Sequence, residues 1–210
     1  MRKQLLLLSV LGLSLVISAG RAQAISLTFV PASQNVGVGN TAAVALQISG
    51  LGDHTAPSLG TFDLEVSFDP ALLALDSVVF GPALGDPSAG EATTSVETST
   101  PGVLGLFEVS FLEGSSSTCV FCLPPFLEEL QGSSFILATL TFDTLAPGVS
   151  PLSVMINALG DADGNPLEAE AGSGSITVTG ATVVPEPSSW LLVGTGLVSL
   201  VLARWRTSKS

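Results

Sequence analysis

The sequence predicts an all-β domain, an antiparallel two-sheet jelly-roll sandwich flanked by an N-terminal signal peptide and a single C-terminal transmembrane helix. Three observations predict it. Short stretches alternate apolar and polar residues with period two, and Gly, Pro and Asp turns separate them. Strong helix formers are scarce through the middle of the chain, where Gly, Pro, Ser, Thr and Val abound. At each end stands an apolar run free of charge but bordered by basic residues.

Residues 1–24 read as the signal peptide. Arg2 and Lys3 form a basic start, Leu5 to Ile17 are apolar or small, and Ala22-Gln23-Ala24 gives the small-x-small exit at which such a segment is cut. The mature chain is expected to begin at Ile25, outside the cytoplasm. Within 25–180, "TFDLEVSFD" sets Phe62, Leu64, Val66 and Phe68 on one face and Asp63, Glu65 and Ser67 on the other. "SFILATLTFDT" sets Ile136, Ala138, Leu140 and Phe142 against Leu137, Thr139 and Thr141. "ISLTFV", "AAVALQIS", "PLSVMINA" and "SITVTG" alternate in the same way, and Pro70 to Leu73 fit one helical turn between strands. A chain of this length suits one domain, burying about two-thirds of the surface its unfolded form exposes. Residues 181–189 read as a linker.

The tail, residues 181–210, reads as a second membrane element. Trp190 to Ala203 carry no charge, and the run extends to a span of about 188–203. That is short against the roughly 17–25 residues of an ordinary span, yet feasible if flanking residues snorkel. Trp190 and Trp205 bracket it, and Arg204, Arg206 and Lys209 follow. The positive-inside rule then leaves the basic end 204–210 in the cytoplasm and the domain outside.

Charge excludes one class of function. All six Lys and Arg lie in the two end segments, whereas all eighteen Asp and Glu lie between Ile25 and Pro187. A domain with no cation cannot neutralise phosphates, so nucleic acid is excluded as a partner. Nor can it form a Lys or Arg ion pair within itself. Its stability must come from apolar burial and sheet hydrogen bonds.

Candidate chemistry is sparse. His54 is the only histidine and lies in the loop "GLGDHTAP", so a Ser-His-Asp device would have to use it. Glu128-Glu129 and Asp161/Asp163 are the nearest carboxylate pairs for glycoside hydrolysis, without a supporting motif. "DADGN" offers a calcium set of Asp161, Asp163 and Asn165, with Glu168 and Glu170 to complete a looser shell. Pro166 and Gly172 occupy positions where a full calcium loop has glycine and glutamate, and the same residues suit a plain Asp/Asn/Gly turn. No other cofactor is expected. Cys119 and Cys122 form C-x-x-C, which outside the cytoplasm reads as a local disulfide rather than a redox dithiol. Phe107, Phe111, Phe121 and Phe126 are candidate loop-side apolar contacts.

Two resemblances add to this. Pro185-Glu186-Pro187, the apolar span and the basic end together resemble the PEP-CTERM sorting signal. That resemblance implies an exosortase-type processing enzyme as a partner and display in the inner membrane or at the surface. "GTFDLEVSFDPALLALDSVVFGPAL", "ILATLTFDTLAPGVSPLSV" and "ALGDADGNPLEAEAGSGSITV" resemble cohesin-type domains, related in fold to carbohydrate-binding modules. This implies non-catalytic recognition of a polysaccharide or surface protein. The segment 86–133, with "CVFCLPP", departs from that pattern. Tyrosine is absent and tryptophan is confined to the tail, which favours protein over sugar contact. A cell-surface enzyme of polysaccharide metabolism is the alternative.

Overall fold

The computed structural model describes residues 24–180, apart from 118 and 120, and the signal-peptide and tail readings lie outside the described residues. Among the described residues, eleven strands form two sheets. They are β1 Ile25–Val30, β2 Ser33–Gly37, β3 Thr41–Ser49, β4 Leu59–Ser67, β5 Leu73–Phe80, β6 Ala92–Glu97, β7 Val103–Ser110, β8 Ser134–Thr144, β9 Gly148–Asp161, β10 Ala169–Ala171 and β11 Ser173–Thr179. The one α-helix among the described residues, α1 Leu127–Leu130, is a single turn, and none is long and apolar enough to cross a membrane. The sheet orders are β10-β1-β3-β8-β5 and β2-β11-β9-β4-β7-β6.

Period-two patterning decides which residues meet between the sheets. Leu27, Phe29, Val44, Leu46, Ile48, Phe62, Leu64, Val66, Leu140, Phe142 and Ile176 are all buried there, as alternation requires for strands with one covered face. Phe62 stacks on Phe80 with ring centroids 6.3 Å apart, and Phe68 packs against Phe142 at 5.0 Å. Pro70 to Leu72 form the expected single turn, with Asp69 Oδ1 accepting from the Ala71 amide and Asp69 O from Leu73.

Three features differ from the sequence reading. The pairing is not purely antiparallel, because β1 runs parallel to β10 and β2 parallel to β11. Pro31, lacking an N–H, interrupts the first strand, and the chain crosses there from one sheet to the other. Ile136 does not share a face with Ala138. The register shifts between Leu46 and Gln47, so that Leu137 and Ala138 are both buried while Ile136 is displaced. Finally, β6 and β7 fall within 86–133, the stretch that departs from the cohesin pattern, leaving 111–133 as an insertion between β7 and β8.

One buried side chain fastens that insertion. Gln131 Oε1 accepts from the Leu59 amide at 2.7 Å, and its Nε2 donates to the Leu59 carbonyl at 2.7 Å and the Ala83 carbonyl at 3.1 Å. Leu59 opens β4 of one sheet, and Ala83 lies in the 3-10 turn Pro82–Leu84 that follows β5 of the other. Gly60, next to Leu59, lies so close to β9 that a Cβ would stand 2.6 Å from the Asp161 carbonyl.

Glu108 is the exception to apolar burial. It shares the inward face of β7 with Leu104 and Leu106, in register with Phe62 on one side and Thr94 on the other. It is fully buried, and neither carboxylate oxygen has a hydrogen-bond partner. Burial pushes its carboxyl up to about 7. Between the ordinary value of 4.5 and about 7, the folded protein therefore holds a proton that the unfolded chain has lost. Stability should fall as pH rises through that window, by about 2–3 kcal/mol from pH ~5 to ~8. Thermal melts of parent and Glu108→Gln across that range check this. The parent should lose melting temperature more steeply, and parallel profiles would refute the assignment.

Candidate functional site

The outer face of the six-stranded sheet carries two rows of side chains across its strands. In one row Ser95, Phe107, Asp63 and Ala158 stand side by side on β6, β7, β4 and β9. In the next, Glu97, Gly105, Glu65 and Met155 do so. Phe107 is 37% exposed and Met155 54% exposed, large apolar groups on a rigid surface. Asp63 Oδ1 accepts from Asn157 Nδ2 at 3.1 Å, which fixes the acid beside Phe107. A Cβ on Gly105 would lie 3.0 Å from Glu97 Cβ, so glycine keeps that acidic row close to the backbone. Phe107 is thus a mid-strand residue and not the loop contact expected for it. Its placement follows from alternation with buried Leu104, Leu106 and Glu108.

A second region lies at the end of the sandwich where β4 begins and β9 finishes. The loop 53–58, the insertion and the "DADGN" turn surround a cavity of about 160 Å³ lined by Ser58, Gly114, Ser115, Glu128, Asp161 and Asp163, among others. Cys119 and Cys122 are joined as a disulfide with Cα atoms 5.4 Å apart. Phe121, between the two cysteines, and Leu123, just after them, are 94% and 85% exposed. Phe111 is also exposed, but Phe126 is buried and anchors the insertion, contrary to its expected role as a contact.

Two of the candidate catalytic groups, His54 and Glu129, are committed to local structure. His54 adopts a positive φ of 53°, its Nδ1–H donates to the Glu128 carbonyl at 2.9 Å, and its amide donates to the Gln131 carbonyl. The ring ties one loop to another. Glu129 turns back to accept from the Phe126 amide at 3.3 Å, capping α1, while Glu128 borders the cavity. That pair therefore diverges.

The candidate calcium residues are divided between a turn and the segment that follows it. Asp161 Oδ1 accepts from the Asp163 and Asn165 amides at 3.0 and 2.7 Å, and Oδ2 accepts from Asn165 Nδ2 at 3.0 Å. Burial alone would raise its carboxyl, but bonds from Asn165, Asp163 and Gly164 outweigh burial and hold it below its ordinary value. Asp161 thus closes a turn. Glu168 and Glu170 follow Pro166 along the segment that crosses to β1. Among the described residues, the group of metal-binding side chains gathered within 4.8 Å is Glu113, Cys119 and Cys122, whose two cysteines are joined to each other.

Pro185, Glu186, Pro187, Trp190, Arg204, Trp205, Arg206 and Lys209 lie outside the described residues. Residues 183–206, which include all of these but Lys209, match the PEP-CTERM protein-sorting motif. No curated protein matches the chain. Solved structures do resemble its fold. The seventh ScaB type I cohesin from Pseudobacteroides cellulosolvens is 19% identical with a TM-score of 0.56, over 78% of this chain and 97% of that one. CaCohA2 from Clostridium acetobutylicum is 22% identical with a TM-score of 0.54, over 75% and 92%. A type I cohesin–dockerin complex from Clostridium thermocellum, with Coh-OlpA, gives 12% identity and a TM-score of 0.55, over 74% and 99%. The chain therefore joins a cohesin-type β-sandwich to a PEP-CTERM sorting motif.

Proposed function

We propose that this protein is an exported, non-catalytic protein-binding module, processed by an exosortase and displayed beyond the inner membrane. Its contact surface is the outer face of the six-stranded sheet. The observation that carries this reading is the pairing of Phe107 and Met155 with Asp63, Glu65 and Glu97 on that face. Apolar groups on a rigid sheet, bordered by acids, suit a partner that supplies apolar surface and positive charge. The cohesin-type fold agrees, since one of the similar structures is a cohesin–dockerin complex. A polysaccharide would want aromatic platforms, and the described face offers Phe107 alone. The commitment of His54, Glu129 and Asp161 to loops, caps and turns supports a binding role over catalysis.

Three outcomes are expected. The double variant Phe107→Ser/Met155→Ser should melt near the parent, because both groups are already exposed. It should bind its cell-surface partner, isolated by cross-linking to the parent, at least about 30-fold more weakly, since truncating interface anchors costs about 2 kcal/mol or more. Equal binding by parent and variant, measured by calorimetry, would move the contact elsewhere.

Millimolar calcium should leave the melting temperature unchanged, because the Asp161 carboxylate is already occupied by amides of its own turn. A calcium-dependent rise by scanning fluorimetry would instead assign an ion to Asp161, Asp163 and their neighbours.

Glu186→Ala should insert normally, since the span and its basic flank are untouched. It should then accumulate as a larger form in the inner membrane. Immunoblots of fractionated cells check this, and a variant that matures like the parent would leave the tail a simple anchor.

A further inference from the structure

The insertion 111–133 and the cavity beside it form one surface at the end of the sandwich away from Thr179. β9 sets the distance, running from Gly148, paired with Val178 near the exit of β11, to Asp161 at the cavity, about 40 Å away for a strand of 14 residues. Backbone bonds from the Leu127 amide to the Glu113 carbonyl and from the Glu128 amide to the Gly114 carbonyl close the neck of the insertion, and Gly114, Ser115 and Glu128 at that neck line the cavity.

The cavity itself is built for a cation. Glu128, Asp161 and Asp163 line it, and no Lys or Arg lies between Ile25 and Pro187 to balance them. Ser58, also lining it, is 5% exposed, and its hydroxyl makes no hydrogen bond among the described residues. That hydroxyl lines the cavity and is available to a ligand's donor placed there. About 160 Å³ accommodates the end of one long side chain. The carboxylates do not gather tightly enough for a small metal ion, as the 4.8 Å grouping of Glu113, Cys119 and Cys122 excludes them. An ammonium or guanidinium on a long side chain can reach carboxylates set farther apart than a metal ion's ligands.

We propose that this end of the domain docks a basic protein segment, taking a Lys or Arg side chain into the Ser58–Glu128–Asp163 cavity and an adjacent apolar residue against Phe121 and Leu123. This surface is separate from the sheet face proposed above. Charge selects the occupant. A second copy would bring the same acidic surface, and an anionic bilayer would repel it, whereas a basic partner neutralises it.

The test selects random peptides displayed on phage against the full chain in nanodiscs, then measures the enriched peptides, resynthesised, by calorimetry. Peptides pairing Lys or Arg with a large apolar residue are expected, with affinity falling as salt rises. Glu128→Gln/Asp163→Asn and Phe121→Ser/Leu123→Ser should each weaken binding at least tenfold, while Leu145→Ser, an exposed change between β8 and β9, binds like the parent. Enrichment of peptides without a basic residue, no enrichment at all, or undiminished binding by both end variants would overturn the proposal. Self-association of the parent, or its co-flotation with phosphatidylcholine vesicles, would overturn it too if the Phe121→Ser/Leu123→Ser change abolished either and peptide binding was absent.

Discussion

Every stabilising contact in this domain is made without a Lys or Arg. Between Ile25 and Pro187 the chain has acids alone, so no carboxylate can be neutralised by one of its own cations. The core accordingly consists of interleaved aliphatic and phenyl groups from two sheets. Polar closure falls to amides, hydroxyls and backbone groups, as at Gln131, Thr144 and Asn165. Glu108 shows the cost of the same constraint. Where a carboxylate enters the core there is no arginine to receive it, and the proton is what makes its burial tolerable.

The acids that stay outside are sorted by what surrounds them. Asp161 and Glu129 are used up by nearby amides and act as turn and cap. Asp63, Glu65 and Glu97 remain on a flat face beside apolar side chains, and Glu128 and Asp163 border a cavity. The first group holds the chain's shape, and the second sets the sign of what approaches it.

Period two made β3, β4, β8, β9 and β11 legible in the sequence, because each alternates over enough residues to have one covered face. β2 and β6 were not, since "SQNVG" and "ATTSVE" carry too few apolar residues to announce a buried side. β7 did alternate, but Glu108 stood where a third aliphatic residue belonged and broke the pattern. The bulge at Leu137 was hidden because inserting one residue leaves composition unchanged while reversing every face before it. Of the site, the acidic turn and the C-x-x-C staple were visible. Gln131 was not, because a glutamine before Gly132 reads as a surface turn until three backbone groups are found waiting for it.

The parallel splice of the last strand has a mechanical consequence. β11 lies between β9 and β2, bonded to both along its length, and its C-terminal end faces out of the sandwich. A pull directed along the strand would load the ladders on both sides in shear, and they would have to give way together. A hairpin strand peeled from an edge would instead open one bond at a time. Force along this strand would therefore meet two ladders at once.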